Sequence, residues 1–258
     1  MAGKEKDNVV DVKGFYAAFD DNIVLSDVSF SARRGEVTVI LGGSGSGKTT
    51  LLRHLLSLLP IEQGYINVLG RELARLDEQE QIDLYLQLGV FYQSGALLNS
   101  LNVAENVALP LVQHTSLPPD LINDIVHMKL GLVNLSYAFY LYPSQLSGGM
   151  LKRAALARAI AMDPPLLFCD EPGAGLDPVS LEALDRLILN LKNKLGMSII
   201  LVTHEVSSIL RVADRVVFLD EGVVAFQGTI KEAIHSEIPS VKSFFKVLDN
   251  ENMRALVR

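Results

Sequence analysis

The sequence predicts an α/β fold: a mainly parallel core sheet, an N-terminal antiparallel β subdomain and an inserted α-helical subdomain. Three observations predict it. Short runs at 36–41 (EVTVIL), 166–171 (LLFCDE) and 198–203 (SIILVT) are mostly apolar without alternation, the pattern of parallel strands buried on both faces. Residues 9–32 instead alternate, with Val28 and Phe30 on one face and Ser29 and Ser31 on the other, which predicts antiparallel strands around the turn Asp20-Asp21-Asn22. Residues 103–161 carry helical patterning with no strand between, broken at Pro110, at Pro118-Pro119 and at Pro143.

Composition bounds the function. A chain of 258 residues with 49% hydrophobic content can bury a large core, which excludes a disordered chain. The net charge of -7 argues against a dominant nucleic-acid surface. The single cysteine, Cys169, cannot form an internal disulfide, and its apolar setting in LLFCD reads as core filler. No apolar run approaches the roughly 20 residues that span a bilayer, and the charged start MAGKEKD carries no signal. A membrane link is therefore expected through a partner.

In chain order, residues 1–7 are expected to fray. Phe19 is an aromatic at a loop edge; core packing is the ordinary fate of such a side chain. After the first apolar run comes GGSGSGKT, residues 42–49, and then Leu51, Leu52, Leu55 and Leu56 at helical spacing as far as Pro60. Strand, glycine loop and helix together form a phosphate cradle. The glycines let backbone N–H groups turn toward phosphate oxygens, and the helix N-terminus adds partial positive charge. Gly42, Gly43, Ser44, Gly45, Ser46, Gly47, Lys48, Thr49 and Thr50 are the candidate nucleotide-binding residues, with Lys48 for the outer phosphates and the Thr49 hydroxyl for Mg²⁺. A plain glycine turn would explain the glycines and leave Lys48 and Thr49 unexplained.

Next come a strand and turn at YINVLG, a helix over 77–87 and a buried strand over 89–93 that ends at Gln93. The loop 94–102 carries Ala96, Leu97, Leu98 and Leu101, which fits either a docking partner or inward packing. LSGGM, residues 146–150, opens the helix LKRAALARAIAMD. Ser147, Gly148 and Gly149 make a second anion-seeking helix start, for which a simple serine cap is the ordinary reading. Asp170 and Glu171 close an apolar strand where α/β sheets place ligands, fitting Asp170 to Mg²⁺ and Glu171 to an attacking water. Asp177-Pro178 predicts a helix start, with Leu181, Leu184, Leu187, Ile188 and Leu191 facing the core and Gly196 stopping it. SIILVTHE delivers His204 to the same kind of strand end. RVVFLD and VVAFQG predict a hairpin around Asp220-Glu221-Gly222, followed by short helices to about Leu248.

The ordered set GGSGSGKT, Gln93, LSGGM, LLFCDE, GLD and His204 resembles the nucleotide-binding domain of ATP-binding-cassette (ABC) proteins over nearly the whole chain. The resemblance implies one ABC ATPase domain. Residues 8–93 and 162–248 would form the core with the antiparallel β subdomain, residues 94–161 the helical subdomain, and residues 249–258 a tail. It implies ATP and Mg²⁺ as cofactors, with Phe19 stacked on adenine and Gln93 sensing Mg²⁺ and water. Ser147, Gly148 and Gly149 would close on the γ-phosphate of a second subunit's ATP, Glu171 would be the catalytic base, His204 the switch histidine, and Asp177 the acid facing across the dimer. Catalysis is thus expected from Glu171, His204, Gln93 and Lys48, with Thr49, Gln93 and Asp170 at the metal. A head-to-tail dimer holding two ATP molecules follows.

Three positions depart from the family pattern: Met150 stands for Gln, Phe19 for Tyr, and Gly173 for Thr. The sequence offers no account of Gly173. Residues 92–120 (YQSGALLNSLNVAENVALPLVQHTSLPPD) with LSGGMLKRAALARAIAMDPP are similar to the ATPase subunit of Mla/Mce-type bacterial lipid transporters, where the signature Met is common. That narrower resemblance implies transport of phospholipid or a related lipid and a permease docked near 94–101. It also implies a lipid-binding Mce-type envelope subunit and a place on the cytoplasmic face of the inner membrane, with no nucleic-acid partner. Rivals stay open: a cassette for another solute, a soluble cassette acting on DNA or ribosomes, and a regulatory module that binds ATP without hydrolysing it.

Overall fold

Alternating burial builds the first sheet. In the computed structural model, which describes residues 7–20 and 22–246, β1 (Asn8–Phe19) pairs antiparallel with β2 (Asn22–Arg33). Val10, Val12, Phe15, Val28 and Phe30 are buried, while Ser29 faces solvent as its alternation requires. The sheet continues through β4 (Gln63–Val68) to the short β5 (Arg71–Glu72), both antiparallel to their neighbours. Residue 21 of the expected turn, residues 1–6, the end of the terminal helices at 247–248 and the tail 249–258 lie outside the described residues.

The chain divides into two compact units, Met1–Leu84 with Ser198–Arg258, and Tyr85–Met197. The first holds, beside the antiparallel sheet, a set of strands centred on β3 (Val37–Gly42). β3 runs parallel to β8 (Ser198–Val202) on one side and to β9 (Arg215–Asp220) on the other. Every residue of β3 and β8 is buried, Thr38 and Ser198 included, as their mostly apolar, non-alternating runs require. Each of the fully buried Val37, Val39, Ile40 and Leu41 contributes about 1.5–3 kcal/mol of transfer free energy. β10 (Val223–Thr229) closes the expected hairpin on β9, with Glu221 at φ 46 and Gly222 at φ 79 in the turn. The helices of this unit are α1 (Lys48–Leu55), α2 (Glu78–Tyr85, whose last residue belongs to the other unit), α7 (Val206–Val212), α8 (Ile230–Ile234) and α9 (Pro239–Phe245). α1 stops at Leu55 rather than running to Pro60. Leu58 N–H bonds back to the Arg53 carbonyl, and Ser57 takes a positive φ of 53, so the turn closes early.

In the second unit, β6 (Leu88–Phe91) and β7 (Leu166–Asp170) form a parallel pair, with Val90 opposite Phe168 and Phe91 opposite Cys169. Gln93 therefore lies past its strand rather than in it. α3 (Val103–His114), α4 (Pro119–Leu132), α5 (Gly148–Ala159) and α6 (Pro178–Leu195) complete the unit. Pro110 does not break the helical run as expected; it sits inside α3. One proline removes a single helical hydrogen bond. Here that loss is outweighed by buried Val103, Val107 and Leu111 on one face and by a reciprocal cap between Asn102 and Glu105. α6 follows its forecast: Asp177 caps it, Pro178 begins it, all five predicted core positions are buried, and Gly196 ends it at φ 66.

The candidate nucleotide-binding cassette

In the first unit the phosphate loop leaves β3 through Gly42, where a Cβ would stand 2.0 Å from the Leu219 carbonyl oxygen. It enters α1 through Gly47 at φ 95, where a Cβ would stand 2.5 Å from Leu25 Cδ2. Only glycine fits either place. Lys48, the first residue of α1, donates from Nζ to the carbonyls of Gly42 at 3.0 Å and Gly43 at 2.7 Å. α1 has no side-chain cap and no acid in its first turn, so its leading N–H groups meet no competing carboxylate. Beside them lies a cavity of about 270 Å³ lined by Val24, Gly45, Ser46, Gly47, Lys48, Thr49 and Thr50. Gly43, Ser44 and Gly45 form the exposed lip of the loop.

His204 follows Val202 and Thr203, past the carboxyl end of β8, with its side chain largely exposed and Nε2 3.9 Å from a Glu205 oxygen. Because Ile40 pairs with Val202, the phosphate loop and His204 leave neighbouring parallel strands at the same edge. Phe19 ends β1 with 46% of its surface exposed, which sets aside the core-packing reading. It is not among the residues lining the loop cavity.

In the second unit the same topology acts on other residues. Gln93 follows β6, Asp170 ends β7 and Glu171 follows it, so one sheet edge carries all three. Glu171 sits at φ 44, a strained conformation for a side chain of its size, and its carbonyl accepts from Ala174 N–H at 3.1 Å. Gly173 now has a reason: a Cβ there would stand 2.3 Å from Leu181 Cδ1, a buried side chain of α6. The small residue lets α6 pack under the turn. Asp177 Oδ1 accepts from Val179 and Ser180 N–H groups, both at 3.0 Å. Hydrogen bonding with Ser180, side chain first and then backbone, holds its carboxyl below the usual range. Ser147 is the N-cap of α5, its hydroxyl accepting from Met150 N–H at 3.3 Å, while Gly148 opens to solvent and a Cβ on Gly149 would meet Ser180 Oγ at 3.3 Å.

Residues 25–174 match the family described as ABC transporter. The chain belongs to that family. It is an ATP-binding, ATP-hydrolysing cassette. It is 39% identical, over 93% of its own length and 90% of the other's, to the intermembrane phospholipid transport system ATP-binding protein MlaF of Haemophilus influenzae. It is 37% identical, over 91% of its length and 68% of the other's, to a probable ribonucleotide transport ATP-binding protein, mkl, of Mycobacterium leprae. Among solved structures, the ATP-binding cassette MJ0796, dimeric and bound to ADP and Pi after hydrolysis, superposes with a TM-score of 0.77 at 27% identity, covering 86% of this chain and 98% of that one.

The cassette's residues fit the groups its family handles. An open lip, bare helix N–H groups and a lysine amount to a polyphosphate donor set. Among the described residues no cluster of three or more His, Cys, Asp and Glu could hold a cation alone.

Sequence reading missed three features of this cassette. Asn106, fully buried, pins the apolar loop: its amide donates to the Leu98, Leu101 and Asn102 carbonyls and accepts from Leu98 N–H at 2.8 Å. Leu98 is left 45% exposed while Leu97 and Leu101 are half-buried, so the loop divides between the two readings it allowed. Lys152 and Arg158 of α5 both bond the backbone after β6. The Asn102-Val-Ala-Glu105 cap was the one of these with a readable signal.

Proposed function

We propose that this cassette powers movement of phospholipid or a related lipid across the bacterial cell envelope, through a partner permease. Coverage supports it: the chain spans 90% of MlaF but 68% of the ribonucleotide-transport relative at similar identity. The second reading, a cassette for another solute, draws on that latter relative.

In this reading the phosphate loop holds ATP, with Lys48 at the outer phosphates and Phe19 against adenine. Thr49, Asp170 and Gln93 supply oxygens for Mg²⁺. When bound, Mg²⁺ offsets charge on the phosphate oxygens. Glu171 accepts a proton from the attacking water, and His204 donates a hydrogen bond at the terminal phosphate. A second copy joins head to tail, its Ser147, Gly148 and Gly149 donating to the first copy's ATP and its Asp177 at the shared face. The dimeric state of MJ0796 supports this arrangement. Among the described residues no helix is long and apolar enough to cross a membrane, so attachment to the cytoplasmic face of the inner membrane falls to the permease, docked at the loop bearing Leu98.

The test is affinity purification of the chain from native membranes, with mass spectrometry of proteins and lipids. An integral permease with a lipid-binding envelope subunit and bound phospholipid is the expected result. A permease accompanied by a different solute-binding partner overturns the lipid assignment and keeps the cassette.

A further inference from the structure

We propose that Lys152 is a positioning residue for hydrolysis, holding the backbone of Gln93 in place from the first turns of α5. The inference rests on the roles given above to Gln93 and Glu171. Lys152 is 9% exposed, an uncommon site for an ammonium group unless something there holds it. Its Nζ donates to the Gln93 carbonyl and stands 5.6 Å from the centre of the Phe91 ring, a cation–π contact that adds to the hold. Burial pulls its pKa down, and the Glu171 carboxylate opposes that pull.

The rest of that helix face distinguishes holding the loop from placing Gln93. Three residues further along α5, Ala155 leaves room for Gly95, where a Cβ would stand 3.2 Å from the Ala155 Cβ. Three residues beyond that, Arg158 donates to Ala96 O at 2.7 Å and Gly95 O at 3.0 Å. Lys152 and Arg158 thus hold the loop from one face of α5, with Ala155 leaving room between them, and Lys152 is the one that reaches Gln93. Arg158 keeps the loop on the helix without it. Lys152 sets where Gln93 stands relative to Glu171, which follows the paired strand. Since Ser147 caps α5, the position of the signature turn and that of Gln93 are tied to one rigid element.

The experiment measures kcat, KM for MgATP, calorimetric ATP affinity and Tm for wild type, Lys152→Met and Lys152→Gln. The Met variant loses both charge and donor, so kcat falls about tenfold or more, the scale of one hydrogen bond from a charged donor, with KM and ATP affinity unchanged. The Gln variant keeps a weaker, uncharged donor and falls in between, again at unchanged KM. Wild-type kcat in Lys152→Met overturns the proposal, as does loss of ATP affinity parallel to the loss of kcat, which assigns the lysine to binding or folding. Should the Met variant not fold, Lys152→Gln carries the test by the same split, and wild-type kcat there overturns the proposal too. Glu171→Gln run alongside separates the failures. Normal turnover by Glu171→Gln removes the roles on which the inference rests, whereas its inactivity beside a fully active Lys152→Met sinks the inference alone.

Discussion

Two helices of this cassette begin with glycine-rich turns, α1 after Gly47 and α5 after Ser147, yet they are prepared differently for an anion. α1 has no side-chain cap, and a cation from its own first residue already lies against the loop carbonyls. α5 is capped by the Ser147 hydroxyl, and its nearby cations are committed internally. Lys152 bonds Gln93, and Arg153 bonds the Asn134 carbonyl at 3.0 Å. α1 therefore brings a cation within the loop itself, open amides and a cavity, while α5 offers a hydroxyl and amides, its cations reaching carbonyls outside its own first turn. In the proposed reading the first recruits a nucleotide, and the second recognises one that is already held.

The largest effect that could break this contrast is at Lys48. Lys48→Ala should weaken ATP binding to the isolated chain by about 100-fold, the upper scale for a hydrogen bond from a charged donor, and calorimetry checks it. Unchanged affinity would dissolve the difference between the helices. Glu171→Gln should lower turnover about 10²- to 10⁴-fold with ATP affinity retained, because a general base acts in the transition state and not in binding. Steady-state phosphate release beside a binding isotherm reads both. Ser147→Ala removes a long, exposed cap bond, costing about 0.5–1 kcal/mol of stability with no change in ATP affinity of the single chain. Thermal melts and the same isotherm report it; a drop in affinity would show α5 recruiting nucleotide after all.

The smallest effect sits at the far end of α1. His54 is buried edge-on against Phe15 with ring centroids 4.9 Å apart, and burial lowers its pKa from 6.5, opposed by backbone hydrogen bonds to Leu59 and Pro60 and by the Glu62 charge. The unfolded chain then binds this proton more readily than the folded one. Stability should be full above pH 6.5 and decline as pH falls through that value toward the lowered folded pKa. Melting curves across that window, compared with His54→Leu, which lacks the group, isolate its share from the other histidines; identical slopes would remove His54 from the account.

Much of this was written locally in the chain. Mostly apolar runs without alternation marked β3, β7 and β8, and Asp177-Pro178 with Gly196 marked both ends of α6, because those signals act through a residue's own backbone or its nearest neighbours. What escaped reading depends on distant partners. Pro110 stays helical because its helix is held by packing, Gly173 answers to Leu181, and Lys152 matters through a carbonyl 59 residues away in sequence. The nucleotide residues were legible as types in order. Their grouping, the phosphate loop beside His204 after one strand pair and Gln93 beside Asp170 and Glu171 after the other, needed strand register.

Cys169 lies wholly inside β7, its thiol pushed far above the ordinary range by burial and then by the adjacent Asp170 charge, and it is the chain's single cysteine. A thiol that neither meets solvent nor ionises is silent to maleimides and nitroxide reagents. The native protein therefore serves as its own unlabelled background. One engineered surface cysteine on α1 or on α5 would carry a spin label or fluorophore alone, so the separate movements of the two helix starts can be followed without first removing anything from the core.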